Sequence, residues 1–150
     1  MGGQSVENGN VINDVLVHLF NEIWQLEKNA LTTGDFKDLT YNDMHIMEAV
    51  GLDGRKMSDI AAALHITVGS LTTSMNGLVK KGYTERERSG RDRRVVYIRL
   101  TAKGKKAYAH HAEFHRRMTE QVVQRLDTEE LSILEKALTG LVDFFEQYKD

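Results

Sequence analysis

Apolar residues near the start of the chain recur at close to helical spacing: Ile12, Val15, Leu16, Leu19, Phe20, Ile23, Trp24 and Leu26. A stripe of this period predicts a long amphipathic helix from Val11 to about Leu31, ended by Gly34 and Asp35. Thr40 is placed to cap a second helix, with Asp43 at its third position and Met44, Ile46, Met47 and Val50 following. Gly51 and Gly54 bracket its exit, and Ser58 opens a short third helix in SDIAAALHI. After a tight break at His65 to Thr67, Thr67 caps a fourth helix. That helix turns Leu71, Met75 and Leu78 inward and stops at Gly82 in a left-handed conformation. Tyr83 to Arg88 and Val95 to Leu100 are rich in strand-favouring positions around the turn SGRDRR. Thr101 caps a long fifth helix reaching about Leu126. Asp127 with Glu130 forms a capping-box start to a sixth, whose stripe includes Leu131, Leu134, Leu138, Leu141 and Phe145.

Charge divides the chain more sharply than its total suggests. Twenty basic and 22 acidic residues give a net charge of −2. Residues 80–106 hold eleven of the basic ones (Lys80, Lys81, Arg86, Arg88, Arg91, Arg93, Arg94, Arg99, Lys103, Lys105, Lys106) against three acids, Glu85, Glu87 and Asp92. The segment therefore carries +8, while the remaining nine basic and nineteen acidic residues carry −10. Two short helices across a tight break, followed by a basic hairpin, make a winged helix-turn-helix. The expected fold is mainly α, in the order α-α-α-α-β-β-α-α, with long helices at both ends.

The outward face of the fourth helix is small and polar, with Thr67 at its cap and Gly69, Ser70, Thr72, Thr73 and Asn76 near its N-terminal half. Lys80 and Lys81 stand at its exit. Short hydroxyls and one amide allow close approach to base edges, and the free N–H groups of the helix start attract phosphate. Arg86, Arg88, Arg91, Arg93 and Arg94 follow on the hairpin. Arginines at the wing suit a narrow, electronegative minor groove. Asp92 among them is explained as a brace that holds one guanidinium in a fixed pose. Double-stranded DNA is the expected partner.

Other classes are excluded or left without support. The chain lacks cysteine, so disulfides and thiolate metal sites are excluded, and it lacks proline, so its helices meet no proline break. No apolar run approaches the roughly 18 residues of a membrane helix. MGGQSVENGN has neither a basic start nor an apolar stretch, so it is expected to be a flexible leader of a cytoplasmic protein. HHAEFH is not the HExxH of zinc proteases, and no nucleophile-elbow or phosphate-cradling glycine motif occurs. Enzymatic activity is not expected.

At MSDIAAALHITVGSLTTSMNGLVKKGYTERERSGRDRRVVYIRLTAKGK, above all at Asp92 to Arg94 and Leu100 to Gly104, the chain resembles the MarR family of winged-helix repressors. The resemblance covers nearly all of it. It implies one domain over 1–150, with 1–36 and 102–150 as the helical dimerisation part and 37–101 as the DNA-binding part. It further implies a homodimer on a palindromic operator, with Arg94 in the minor groove braced by Asp92. VGSLTTSMNGLVKKGY, KDLTYNDMHIMEAVG and HHAEFHRRM are similar to the branch that represses fatty-acid synthesis in Gram-positive bacteria. That branch takes long-chain acyl-acyl-carrier protein as corepressor.

Two ligand sites are candidates. Phe20, Trp24, Met44, Met47, Phe114 and Met118 are apolar candidates for an effector pocket, since flexible methionines adapt to an acyl chain; the same stripe also suits plain core. Arg116 and Arg117 are candidates to meet an acidic carrier protein. His111 and His115, four apart on one helix face, with His45 and Glu27, resemble the ligand set of zinc-sensing relatives. Three imidazoles and a carboxylate suit Zn²⁺. On the alternative reading these histidines make polar contacts or line an effector cavity, and no cofactor is required. His18, His65 and His110 are expected at the surface.

Overall fold

The computed structural model describes residues 2–32, 34–92 and 94–148. Helix α1 (Gly2–Thr32) is followed by α2 (Tyr41–Val50), β1 (Arg55–Lys56), α3 (Met57–Ala63) and α4 (Val68–Lys80). Then come β2 (Thr84–Arg88), β3 (Val96–Leu100), α5 (Ala102–Val123) and α6 (Thr128–Glu146). The mainly helical winged arrangement is as expected, with two corrections. The segment read as a flexible leader is helical from Gly2: with no proline to interrupt it, a helix nucleated by the apolar stripe extends at little cost per residue. The second is strand β1, too short to show any alternation, which pairs with β3 through Arg55 with Ile98 and Lys56 with Tyr97.

β1 also changes how α3 starts. Ser58 does not cap that helix; Lys56 does, without a side-chain hydrogen bond, because the chain passes straight from paired strand into helix. The other caps follow the sequence. The Thr40 hydroxyl accepts from Asp43 N–H at 3.1 Å while the Asp43 carboxylate accepts from Thr40 N–H at 2.9 Å. Asp127 and Glu130 do the same for α6. Each reciprocal pair satisfies helix-end donors that have no partner within the helix.

Contacts divide the chain into two compact units, Met1–Tyr108 and Ala109–Asp150. In the first, a three-stranded antiparallel sheet of order β1-β3-β2 is packed by α2, α3 and α4. Its core includes Met44, Ile46, Met47, Ile60, Leu71, Met75, Leu78, Tyr83 and Ile98. Gly104 shows how tightly α5 begins on that core. A Cβ there would lie 2.0 Å from the Tyr83 carbonyl oxygen, so only glycine fits. Thr101 sets the approach: its backbone N–H donates to the Tyr83 carbonyl and its hydroxyl to that of Gly82. In the second unit, α6 buries no residue. Among the described residues, no helix is long and apolar enough to cross a membrane.

Candidate nucleic-acid interface

The interface is built on α4. Thr67 caps it, its hydroxyl oxygen accepting from Ser70 N–H at 3.1 Å, and His65 makes the preceding turn with a φ of 54°. A positive φ at a non-glycine residue is uncommon and marks a tight reversal, here the turn between the two helices. Leu71, Met75 and Leu78 are fully buried, which forces the opposite face outward. Thr67, Gly69, Ser70, Thr72, Thr73, Asn76 and Lys80 are all exposed, as expected. Lys81 is not free to join them. Its ammonium pairs at 2.7 Å with the buried Asp43 carboxylate, the same group that caps α2. The α4 exit is thereby tied to α2 instead of being offered to a phosphate.

Strand alternation decides which wing residues face α4. The Thr84 hydroxyl meets Met75 Sδ at 3.3 Å, and two residues on the Arg86 guanidinium donates to Asn76 Oδ1 at 2.7 Å. Arg88 continues the row. Between α4 and the wing lies an open cleft of about 580 Å³, lined among others by Thr72, Asn76, Arg86, Arg88 and Arg94. Lys56, Ser58 and Val68 also line it. The sequence reading missed all three; Lys56 is brought there by the pairing of β1 with β3.

The wing tip is ordered by its own short polar groups. Ser89 N–H donates to the Val95 carbonyl, and the Ser89 hydroxyl accepts from Arg91 N–H at 3.2 Å. Asp92 Oδ1 accepts from Arg94 N–H at 2.9 Å and lies 3.5 Å from Arg94 Nε. Asp92 thus holds the Arg94 backbone, where a hold on the guanidinium was expected. The Arg94 side chain is 93% exposed, held at its base with its guanidinium in solvent. Arg91 is exposed as well, and Arg93 lies outside the described residues.

Elsewhere the candidates separate. Met44 and Met47 are 1% and 0% exposed in the winged-helix core, packed with Ile60 and Leu71. They are structural there and do not line the cavity beside Trp24. That cavity, about 400 Å³, is walled by Trp24, Lys28, Lys37, Asp38, Leu39, Thr40 and Tyr41. Phe20 is exposed on α1, while Phe114 and Met118 are half-buried on α5. Arg116 and Arg117 both donate to Glu113, and Arg116 also to Glu120, so their charge is largely matched on their own helix. The two guanidinium groups hold the Glu113 carboxyl down to about 2.

Of the four expected metal ligands, two converge within one unit: His111 and His115 place their Nε2 atoms 3.0 Å apart on successive turns of α5. His45 meets Glu48 at 3.1 Å and stacks edge-on against Tyr41. The Tyr41 hydroxyl is raised above its ordinary range, first by burial and then by Glu27, to which it is hydrogen-bonded.

A capped helix with a polar outer face, beside an arginine-rich hairpin, defines a winged-helix DNA-binding regulator of transcription with a MarR-like fold. The chain belongs to the SarA/Rot family of transcriptional regulators, whose pattern matches residues 32–110. The regulator YfiV of Bacillus subtilis is 30% identical over 133 residues, covering 78% of this chain and 83% of its own. The regulator AdcR of Streptococcus pyogenes is 26% identical, over 97% of this chain and 99% of its own. Among solved structures, FabT of Streptococcus pneumoniae in complex with DNA superposes with a TM-score of 0.83 at 36% identity. The match spans 93% of this chain and 98% of that one. These relatives are regulators of transcription, not enzymes.

Proposed function

We propose that this regulator is a cytoplasmic homodimeric repressor of fatty-acid and membrane-lipid synthesis genes, binding a palindromic operator with acyl-acyl-carrier protein as corepressor. The observation that carries this reading is the likeness to FabT over 93% of this chain, the highest in identity of the three relatives described above. Exposed apolar side chains support the dimer: Ile12, Val15, Leu19 and Phe20 on α1, and Leu138, Val142 and Phe145 on α6, are each about half exposed. Apolar stripes of that extent on regular helices mark an interaction surface. Two copies related by a twofold axis would place one α4 and one wing on each half-site.

The cavity beside Trp24 supports an amphiphilic effector. It offers Trp24, Leu39 and Tyr41 as apolar wall, with Lys28 and Lys37 at its rim. The Lys28 ammonium already sits 5.0 Å from the centre of the Trp24 ring. Lysines of this kind suit an acidic carrier better than Arg116 and Arg117, which Glu113 and Glu120 neutralise. A corepressor acts only by binding the DNA-competent form more tightly than other forms.

The test is an operator gel shift with and without acylated carrier protein. Affinity rises with the acylated form and stays unchanged with the unacylated one. No response to either removes the corepressor while leaving DNA binding in place. Arg94→Ala weakens operator binding by about 1–3 kcal/mol if the wing enters a groove; unchanged affinity removes that role.

A second reading, a zinc-responsive repressor, is favoured by the converging imidazoles of His111 and His115. Two neutral imidazole nitrogens fit the donor chemistry of zinc, and a bound ion would link the two turns of α5. Glu27 and His45 enter that reading through the resemblance. Zinc titration of wild type against His111→Ala with His115→Ala, read as metal retained in native mass spectra and as operator affinity, separates the two readings.

A further inference from the structure

Several hydrogen-bonding groups on the outer face of α4 are already committed inside the protein, and those commitments set which base edges they can meet. Asn76 Oδ1 accepts from the Arg86 guanidinium at 2.7 Å. An amide held by its oxygen has its orientation decided, so Oδ1 faces the wing strand and the NH₂ group, with two donors, faces away from it. One turn earlier the Thr72 hydroxyl donates to the Val68 carbonyl at 2.8 Å. Its hydrogen is spent, leaving lone pairs and a methyl group for a partner. Residues four apart share a helix face, and Thr72 and Asn76 are both exposed and both line the cleft between α4 and the wing. An acceptor therefore stands one helical turn from a donor.

We propose that Arg86 is a specificity-determining residue that acts through Asn76, fixing its amide so that α4 presents a donor at 76 and an acceptor at 72 to the major groove. An unrestrained asparagine favours adenine, its oxygen accepting from N6 and its nitrogen donating to N7. With the oxygen turned to a guanidinium, the NH₂ group instead favours guanine, with adjacent acceptors O6 and N7, or thymine O4. Adenine is disfavoured, because its N7 acceptor stands beside an N6 donor that no longer has a partner. Thr72 selects a donor edge, adenine N6 or cytosine N4. Arg86 thus shapes base preference without touching a base. An arginine bound only to phosphate would behave differently, since its loss weakens all sequences alike and lowers the salt slope by about one.

The experiment is selection from a randomised duplex library with the full chain, comparing wild type, Arg86→Ala, Asn76→Ala and Asn76→Asp. All three substitutions fall at exposed positions, and melting temperatures confirm equal folding. Wild type shows guanine or thymine at the pair whose preference Asn76→Ala removes. Arg86→Ala shifts that one position toward adenine, by about ten-fold relative to wild type, and leaves the other positions as they were. Asn76→Asp keeps a partner for Arg86 but offers only acceptors, so preference moves to cytosine or adenine. The proposal is overturned if Arg86→Ala weakens every sequence equally with preferences unchanged. It is equally overturned if wild type already selects adenine there, or if Asn76→Ala changes no position. Failure to enrich any duplex removes the operator reading itself, and this inference with it.

Discussion

The winged-helix region and α6 carry apolar stripes of similar clarity, yet they end in opposite states. Among the described residues, the buried apolar side chains run from Leu39 to Ala107, and α6 contributes none. Leu71, Met75 and Leu78 reach 0% exposure on α4, while Leu138 on α6 stays 47% exposed. The first stripe finds a sheet and two helices of its own chain to cover it. The second has no buried member on α6, and on the proposed function a second copy covers it. DNA-reading geometry is therefore set inside one chain, whereas on the proposed function the spacing between two such geometries depends on association.

The sharpest way to break this contrast is Met75→Ala. Removing a fully buried side chain from a closed core costs about 2–5 kcal/mol, read by urea unfolding. A loss below about 1 kcal/mol would show that the core of the reading unit is not closed. Next is Gly104→Ala, where the new methyl group would overlap the Tyr83 carbonyl. Overpacking of this kind costs about 1–3 kcal/mol, measured as a lower melting temperature.

A smaller effect is expected at the polar seam under the reading unit. The Tyr83 hydroxyl donates to Asp38 at 2.5 Å, and Lys103 lies 4.1 Å over the Tyr83 ring and 3.6 Å from the same carboxylate. Tyr83→Phe costs about 0.5–1.5 kcal/mol by denaturation at neutral pH. It also changes the pH profile. Burial, then the hydrogen bond to Asp38, pushes the Tyr83 hydroxyl well above its ordinary 10.0. The unfolded tyrosine ionises first, so that stability is fully present below pH 10 and is lost as pH rises beyond it. Asp38 is held below its ordinary 3.8, chiefly by the Tyr83 hydrogen bond, and its contribution fades as pH falls below that value. In Tyr83→Phe the alkaline loss should diminish. An unaltered alkaline limb would assign it to other groups.

The least effect on the fold itself is expected from Leu138→Glu. A half-exposed position should change chain stability by under about 0.5 kcal/mol. If α6 is part of a dimer surface, native mass spectra of this variant shift to the monomer mass while its DNA-free fold persists. A dimer that survives the change would move the contact away from this stripe.

Much of this was legible in the residues themselves, because caps, periods and charge runs act over a few positions. Thr40 with Asp43, Thr67, and Asp127 with Glu130 announce helix starts through hydrogen bonds three residues long. The exposed face of α4 follows from the spacing of Leu71, Met75 and Leu78. The brace at Asp92 is local too, since its partner is two residues away.

What only the tertiary structure decided involves partners far along the chain. Strand β1 exists because β3 lies beside it, and no two-residue pattern could announce that. Lys81 belongs to Asp43, 38 residues earlier, and so leaves the DNA face. Met44 and Met47 went to the core instead of an effector pocket, because helical spacing shows that a face is apolar but not what covers it. Arg86 became the holder of Asn76 through strand alternation and the packing of α4 on β2. Local chemistry determined which elements form and which faces are polar; long-range packing determined which polar groups are already taken, and so which remain to meet DNA.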